Sequence, residues 1–220
     1  MEVGFLTLGI SSILINNFVL ARFLGLCPFL GVSKKTGDSV GMGLAVIFVM
    51  TLASTVTAAI YRYVLLPPVA GRPNLLAYFG FAVPEGGYVL ILKTVSYILV
   101  IAVLVQFVEM VLKKAVPALY RSLGIYLPLI TTNCAVMGVA LLNTTDWKGG
   151  EGLPVHLAAW NGFCAGLGFL VAMLLMSGIR ERLATCRVPK ALAGLPIAFI
   201  CAGLMALAFM GFGKLFGIQI

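Results

Sequence analysis

Four runs without a single charged residue, each long enough to cross a bilayer, dominate this chain and leave it few places to fold other than lipid: Val40 to Tyr61, Ser122 to Thr145, Leu157 to Ile179 and Ala191 to Gly213. Spanning the ~30 Å hydrocarbon core takes roughly 20 apolar residues in helical form. A fifth run, Val3 to Ala21, is interrupted by Arg22 before the apolar stretch resumes at Phe23. A sixth extends from about Val89 to Leu112, with Lys93 near one end and Glu109 near the other. Only 10% of the 220 residues are charged, whereas a soluble domain needs about 25% to build its polar shell. The expectation is an all-α membrane protein of six transmembrane segments.

The net charge of +8 is distributed between the runs rather than along a stripe interleaved with aromatics, which argues against nucleic-acid binding. Nine basic residues (Lys34, Lys35, Lys113, Lys114, Arg121, Arg180, Arg182, Arg187 and Lys190) fall in loops one, three and five. Four (Arg62, Arg72, Lys93 and Lys148) fall in or beside loops two and four. Positive loops stay in the cytoplasm, so both termini are expected outside. The longest loop, about Arg62 to Tyr88, holds Pro67, Pro68, Pro73, Pro84 and Gly86-Gly87 and reads as external turn and coil. Glu2 in place of a basic start, and no small-residue cleavage site after the first run, argue against a signal peptide.

Six segments divide into pseudo-repeats of about 1–114 and 115–220 within a single integral membrane domain covering 1–220. With three spans per half, the second half inserts upside down. Such a 3+3 inverted repeat commonly carries its functional groups on interrupted helices near the midplane. Cys27-Pro28-Phe29-Leu30-Gly31-Val32 in the first segment has a counterpart in Cys134-Ala135-Val136-Met137-Gly138-Val139 of the fourth. Each copy lies in the least regular span of its half, among Asn16, Asn17, Arg22, Gly25 and Pro28 in one and Gly124, Pro128, Thr131, Thr132, Asn133 and Gly138 in the other. Proline breaks the helical ladder, and Asn or Thr at membrane depth must find partners. Discontinuous first and fourth helices are therefore expected, each with one cysteine at its break.

The chain has five cysteines, an odd number, mostly within apolar runs, which does not fit a secreted disulfide framework. Cys164, Cys186 and Cys201 read as small packing residues. Cys27 and Cys134 differ, being repeat-equivalent and set beside polar residues. Thiolates bind soft metals and iron–sulfur clusters, which usually need four cysteines. Two symmetric cysteines offer half of such a site, so a closed one would need two more from another chain.

Several runs carry a family resemblance. They are Asn16 to Leu20, Phe23 to Phe29, Gly31 to Lys35, Leu127 to Val136, Gly178 to Leu183 and Ala202 to Phe212. These closely resemble the A subunits of Rnf ion-translocating electron-transport complexes, over nearly the whole chain. The E subunits of the sodium-pumping NADH:quinone oxidoreductase are similar too, but Asn16-Asn17 and Cys27-Pro28 favour the Rnf side. The long Pro/Gly loop looks longer than is usual there. The resemblance implies a subunit of a bacterial inner-membrane translocase that links ferredoxin and NAD electron transfer to Na⁺ or H⁺ movement. It implies a homologous membrane partner of opposite topology, with two cysteines from each subunit holding an intramembrane [2Fe–2S] cluster. The motif cysteines match Cys27 and Cys134. Other subunits would carry flavins and further clusters, and this chain alone holds no complete active site.

Glu109 is the one acidic residue within a span; it lies one turn before Lys113, as a terminal ion pair would, or it takes part in ion coupling. Asn16, Asn17 and Asn133 either tie down broken backbone or coordinate an ion. Arg22 either offsets cluster charge or reaches the surface, and His156 reads as a surface histidine. Gly41, Gly43, Gly162, Gly166 and Gly168 are expected to allow close helix packing. A free-standing secondary transporter and a passive scaffold are the competing functions.

Overall fold

The structure, a computed structural model, describes residues 5–65, 88–115, 133–145, 152–189 and 192–215. These residues form seven α-helices and no strand: α1 Phe5–Ile10, α2 Leu26–Val32, α3 Thr36–Ile60, α4 Tyr88–Ala115, α5 Cys134–Thr145, α6 Val155–Thr185 and α7 Leu195–Leu215. Single π-helical turns extend α1 over Ser11–Ile15 and α3 over Tyr61–Leu65. Most of the long loop lies outside the described residues, as does the stretch before Asn133, where the break in the fourth segment is expected.

Thr36–Tyr63 and Val155–Thr185 are each long and apolar enough to cross a membrane, with mean hydropathy 2.1. Phe5–Ile15, Thr94–Met110 within α4, Cys134–Thr144 within α5 and Leu195–Gly211 within α7 are shorter apolar helical stretches. Their outward residues are apolar as well: Phe48, Leu99, Val103, Phe107, Leu204, Leu207 and Met210 are all more than half exposed. A helix that is hydrophobic on every side belongs in lipid.

The first segment is discontinuous, as its sequence predicts. The helix ends at Ile15, the chain crosses a non-helical stretch, and α2 begins only after Gly25. Phe18, Val19 and Leu20 of that stretch are buried in the core. Phe23 and Gly25 both adopt positive φ, 54° and 81°, and for Gly25 this costs nothing. Pro28 falls in the first turn of α2, where its missing N–H is not needed.

At the centre, α3 and α6 cross in close contact. Gly162 and Gly166, one turn apart, permit it. A Cβ on Gly162 would stand 2.9 Å from the Met50 carbonyl oxygen, and one on Gly166 would stand 2.7 Å from the Ile47 Cα. Gly43 and Gly168 make comparable approaches, to Leu170 and to the Ile13 backbone. Small residues that let backbones meet are the usual device of membrane helices.

Loops one and five, two of the three expected to be cytoplasmic, lie at one end. Arg180 on α6 reaches Leu30 and Ser33 beside the first loop, and Glu181 reaches Thr36. Phe5, His156, Trp160 and Phe163 form an aromatic cluster with centroids about 6 Å apart, near the start of α6, as at a membrane interface.

Candidate functional site

Both motif cysteines sit in the first turn of a helix, Cys27 in α2 and Cys134 in α5, and both are exposed. The residues around them meet. A Cβ on Gly25 would lie 2.8 Å from Asn133 Oδ1 and 3.2 Å from the Ala135 Cβ, so the turn before Cys27 packs on the residues flanking Cys134. Gly138, one turn further along α5, has the same relation to Leu24. The early N–H groups of a helix have no partner within it, and the partial positive charge at each N-terminus favours anionic groups. Both cysteines occupy such a position.

The asparagines hold the broken backbone. Asn17 is fully buried; its Nδ2 donates to the carbonyls of Ile13 (3.2 Å) and Gly168 (2.8 Å), and its Oδ1 accepts from the N–H groups of Val19 and Leu20. Asn16 closes the π turn, its Nδ2 donating to Ser11 Oγ at 3.2 Å. Asn133 Oδ1 accepts the Ala135 N–H at 3.0 Å, while its buried Nδ2 finds no acceptor among the described residues.

Glu109 is half-buried on α4, one turn before the exposed Lys113. Arg22 is exposed and lines a cavity of about 270 Å³ with Asn16, Phe23, Leu207 and Met210, between the broken stretch and α7. His156 is exposed, as expected. Of the three packing cysteines, Cys164 is buried and Cys201 half-buried, but Cys186 is exposed where α6 ends. Among the described residues no group of three or more His, Cys, Asp or Glu could hold a metal.

Sequence reasoning missed a second buried polar system. Ser12 Oγ donates to Asn161 Oδ1 at 2.5 Å, and Asn161 Nδ2 to Asn143 Oδ1 at 2.6 Å. Asn143 Nδ2 then donates to Ser54 Oγ, and Ser54 Oγ to the Ala158 carbonyl at 2.7 Å. This chain of hydrogen bonds ties the first segment, α3, α5 and α6 together, and its polar groups satisfy one another. Lone Asn143 and Asn161 in apolar runs were the available signal. Replacing Asn143 by Leu strips Asn161 of its acceptor and Ser54 of its donor. At about 1–3 kcal/mol per orphaned buried group, the melting temperature in detergent is expected to fall by several degrees.

Glu181 lies beyond the apolar run of α6, and its carboxylate accepts from the Thr36 hydroxyl (2.5 Å) and N–H (2.9 Å), capping α3 from outside. The hydroxyl first, and the N–H second, hold this carboxyl below the usual carboxylate range. A depressed folded value means the stabilisation is complete above the ordinary carboxylate range and is lost as pH falls through the lowered one. Acid titration of thermal stability should show a small decline there, which Glu181→Gln removes.

A helical bundle with an apolar outer surface and two cysteine-bearing turns in contact defines an integral membrane protein. The chain belongs to the Rnf-Nqr family, whose description reads "Rnf-Nqr subunit, membrane protein" and which matches residues 5–216. It is 52% identical over 204 residues to the A subunit of the Na(+)-translocating ferredoxin:NAD(+) oxidoreductase complex of Acetobacterium woodii, covering 92% of this chain and 93% of that one. It is 53% identical to the A subunit of an ion-translocating oxidoreductase complex from Azoarcus, with 96% of each chain covered. The protein of the same description from Salmonella arizonae is 52% identical, over 96% of this chain and 97% of that one.

Proposed function

We propose that this chain is a membrane subunit of a redox-driven, ion-translocating ferredoxin:NAD-linked oxidoreductase complex, and that Cys27 and Cys134 supply half the ligands of an intramembrane [2Fe–2S] cluster. The single supporting observation is the contact of Gly25 with Asn133 and Ala135, which joins the two cysteine-bearing turns while both cysteines remain exposed.

The residues present fit the group. An anionic cluster favours helix N-termini, and the buried Asn133 Nδ2 beside Cys134 is a donor with no acceptor among the described residues. Two cysteines with no third ligand among the described residues match a site completed by a second protein, a homologue of opposite topology. When bound, the cluster supplies a one-electron carrier inside a hydrocarbon core of ~30 Å, too wide for a single hop. The work of this chain is positional: Asn17 and Asn133 fix the broken backbone, and the Gly25 turn lets the two segments approach. The reading includes six spans in a 3+3 inverted repeat, both termini outside the bacterial inner membrane, and flavin- and cluster-bearing partner subunits.

Purification of the complex from membranes, followed by iron analysis and EPR, tests this. A [2Fe–2S] signal that persists with the membrane core after the peripheral cluster subunits are removed is expected. A transporter or a passive anchor would purify without iron.

A further inference from the structure

We infer that Arg180 is a positioning residue for Cys27, gripping the far end of the short helix that presents it; this rests on the reading of Cys27 as a cluster ligand. Arg180 Nη1 donates to the Leu30 carbonyl at 2.6 Å and to Ser33 Oγ at 2.9 Å. In a continuing helix Leu30 would receive the Lys34 N–H, but that N–H turns back to Val32 at 2.8 Å. The Leu30 carbonyl is thus one of the orphan acceptors of a helix C-terminus, and the guanidinium satisfies it while placing positive charge at the negative end of the helix. Leu30 lies three residues from Cys27, about 4.5 Å along the axis at 1.5 Å per residue. α2 has only seven residues, and no side-chain hydrogen bond caps its N-terminus, where the Gly25 turn is held by packing against Asn133 and Ala135. Its C-terminal side is held from α6, the helix locked to α3 by Gly162 and Gly166. The consequence is that the orientation of the Cys27 turn is set through Arg180.

Neighbouring residues supply the control. Glu181, next in sequence, bonds to Thr36 at the start of α3, not to α2. Ser33 is fully buried, and Ser33→Ala removes one of Arg180's two acceptors while keeping its charge.

The test uses the intact complex, comparing R180A, S33A and E181Q. Two measurements are made on each: backbone hydrogen exchange over residues 26–32, and the EPR lineshape and midpoint potential of the intramembrane cluster. In R180A, exchange is expected to accelerate about tenfold or more, as loss of a charge-assisted hydrogen bond would cause. Its EPR line should broaden and its midpoint should move to lower potential with loss of the positive charge. S33A should broaden the line and quicken exchange by a smaller factor, leaving the midpoint near wild type. E181Q should change neither measurement. Unchanged exchange over 26–32 in R180A overturns the grip, and faster exchange with an unaltered EPR signal overturns its role in positioning Cys27. If R180A does not assemble, S33A decides by the same two criteria. Should Cys27→Ser leave the cluster signal intact, the ligand assignment fails by itself, while the exchange measurement still reports on the grip.

Discussion

Serine at position 27 or 134 is expected to abolish the intramembrane cluster signal and, with it, electron transfer through the complex. A hydroxyl has neither the softness nor the acidity of the thiolate that holds iron, and each position is a quarter of the proposed ligand set. The loss should be close to complete in either single variant. The complex should still assemble, since both side chains are exposed on this chain and neither contributes to its buried core. Serine at Cys164, Cys186 or Cys201 is the comparison and should leave the EPR spectrum as in wild type. Cys164 is buried beside Gly9, so its replacement is expected to affect stability only. A full-strength signal in C27S or C134S would remove the ligand assignment and leave a membrane protein of unassigned chemistry.

The largest expected effect on folding comes from filling the α3–α6 crossing. Side chains at Gly162 and Gly166 would meet the Met50 carbonyl oxygen and the Ile47 Cα inside van der Waals contact, and backbone cannot rotate aside as a side chain can. Overpacking of this kind costs about 1–3 kcal/mol per site, against a net stability of only about 5–15 kcal/mol for a typical domain. Gly166→Val should therefore reduce the amount of monodisperse protein recovered in detergent several-fold, and the double variant with Gly162→Val should yield almost none. A Cβ on Gly203 meets nothing within 4 Å, so Gly203→Ala should be neutral or slightly stabilising. Equal recovery of G166V and G203A would mean that the crossing is looser than the structure gives.

The membrane character, the break in the first segment and the glycine crossing were legible because each leaves a local mark: an uncharged run, an Asn–Pro–Gly cluster, glycines at helical spacing. Helix ends were less so. The second segment starts at Thr36 rather than Val40 because Glu181, remote in sequence, caps it. The run from Leu157 to Ile179 continues as α6 to Thr185 past Arg180, Glu181 and Arg182, since charged residues beyond the lipid do not stop a helix. The pairing of Gly25 with Asn133 joins positions more than a hundred residues apart, and only the internal repeat hinted at it. Asn143 and Asn161, polar residues within apolar runs, marked only that partners were needed; nothing local marked which partners the Ser12–Asn161–Asn143–Ser54 connection joins, or Arg180's hold on Leu30. Hydrogen bonds across a bundle leave no periodicity.

The tight crossing of α3 and α6 also limits how the protein can move. Backbones held together at Gly162 and Gly166 cannot slide or roll past each other without losing several contacts at once, so this pair behaves as a stator. Among the described residues, the backbone nearest the first cysteine that is not part of a helix is the short turn from Ala21 to Gly25, with its left-handed residues Phe23 and Gly25, so a change in the direction of α2 relative to that pair would fall there.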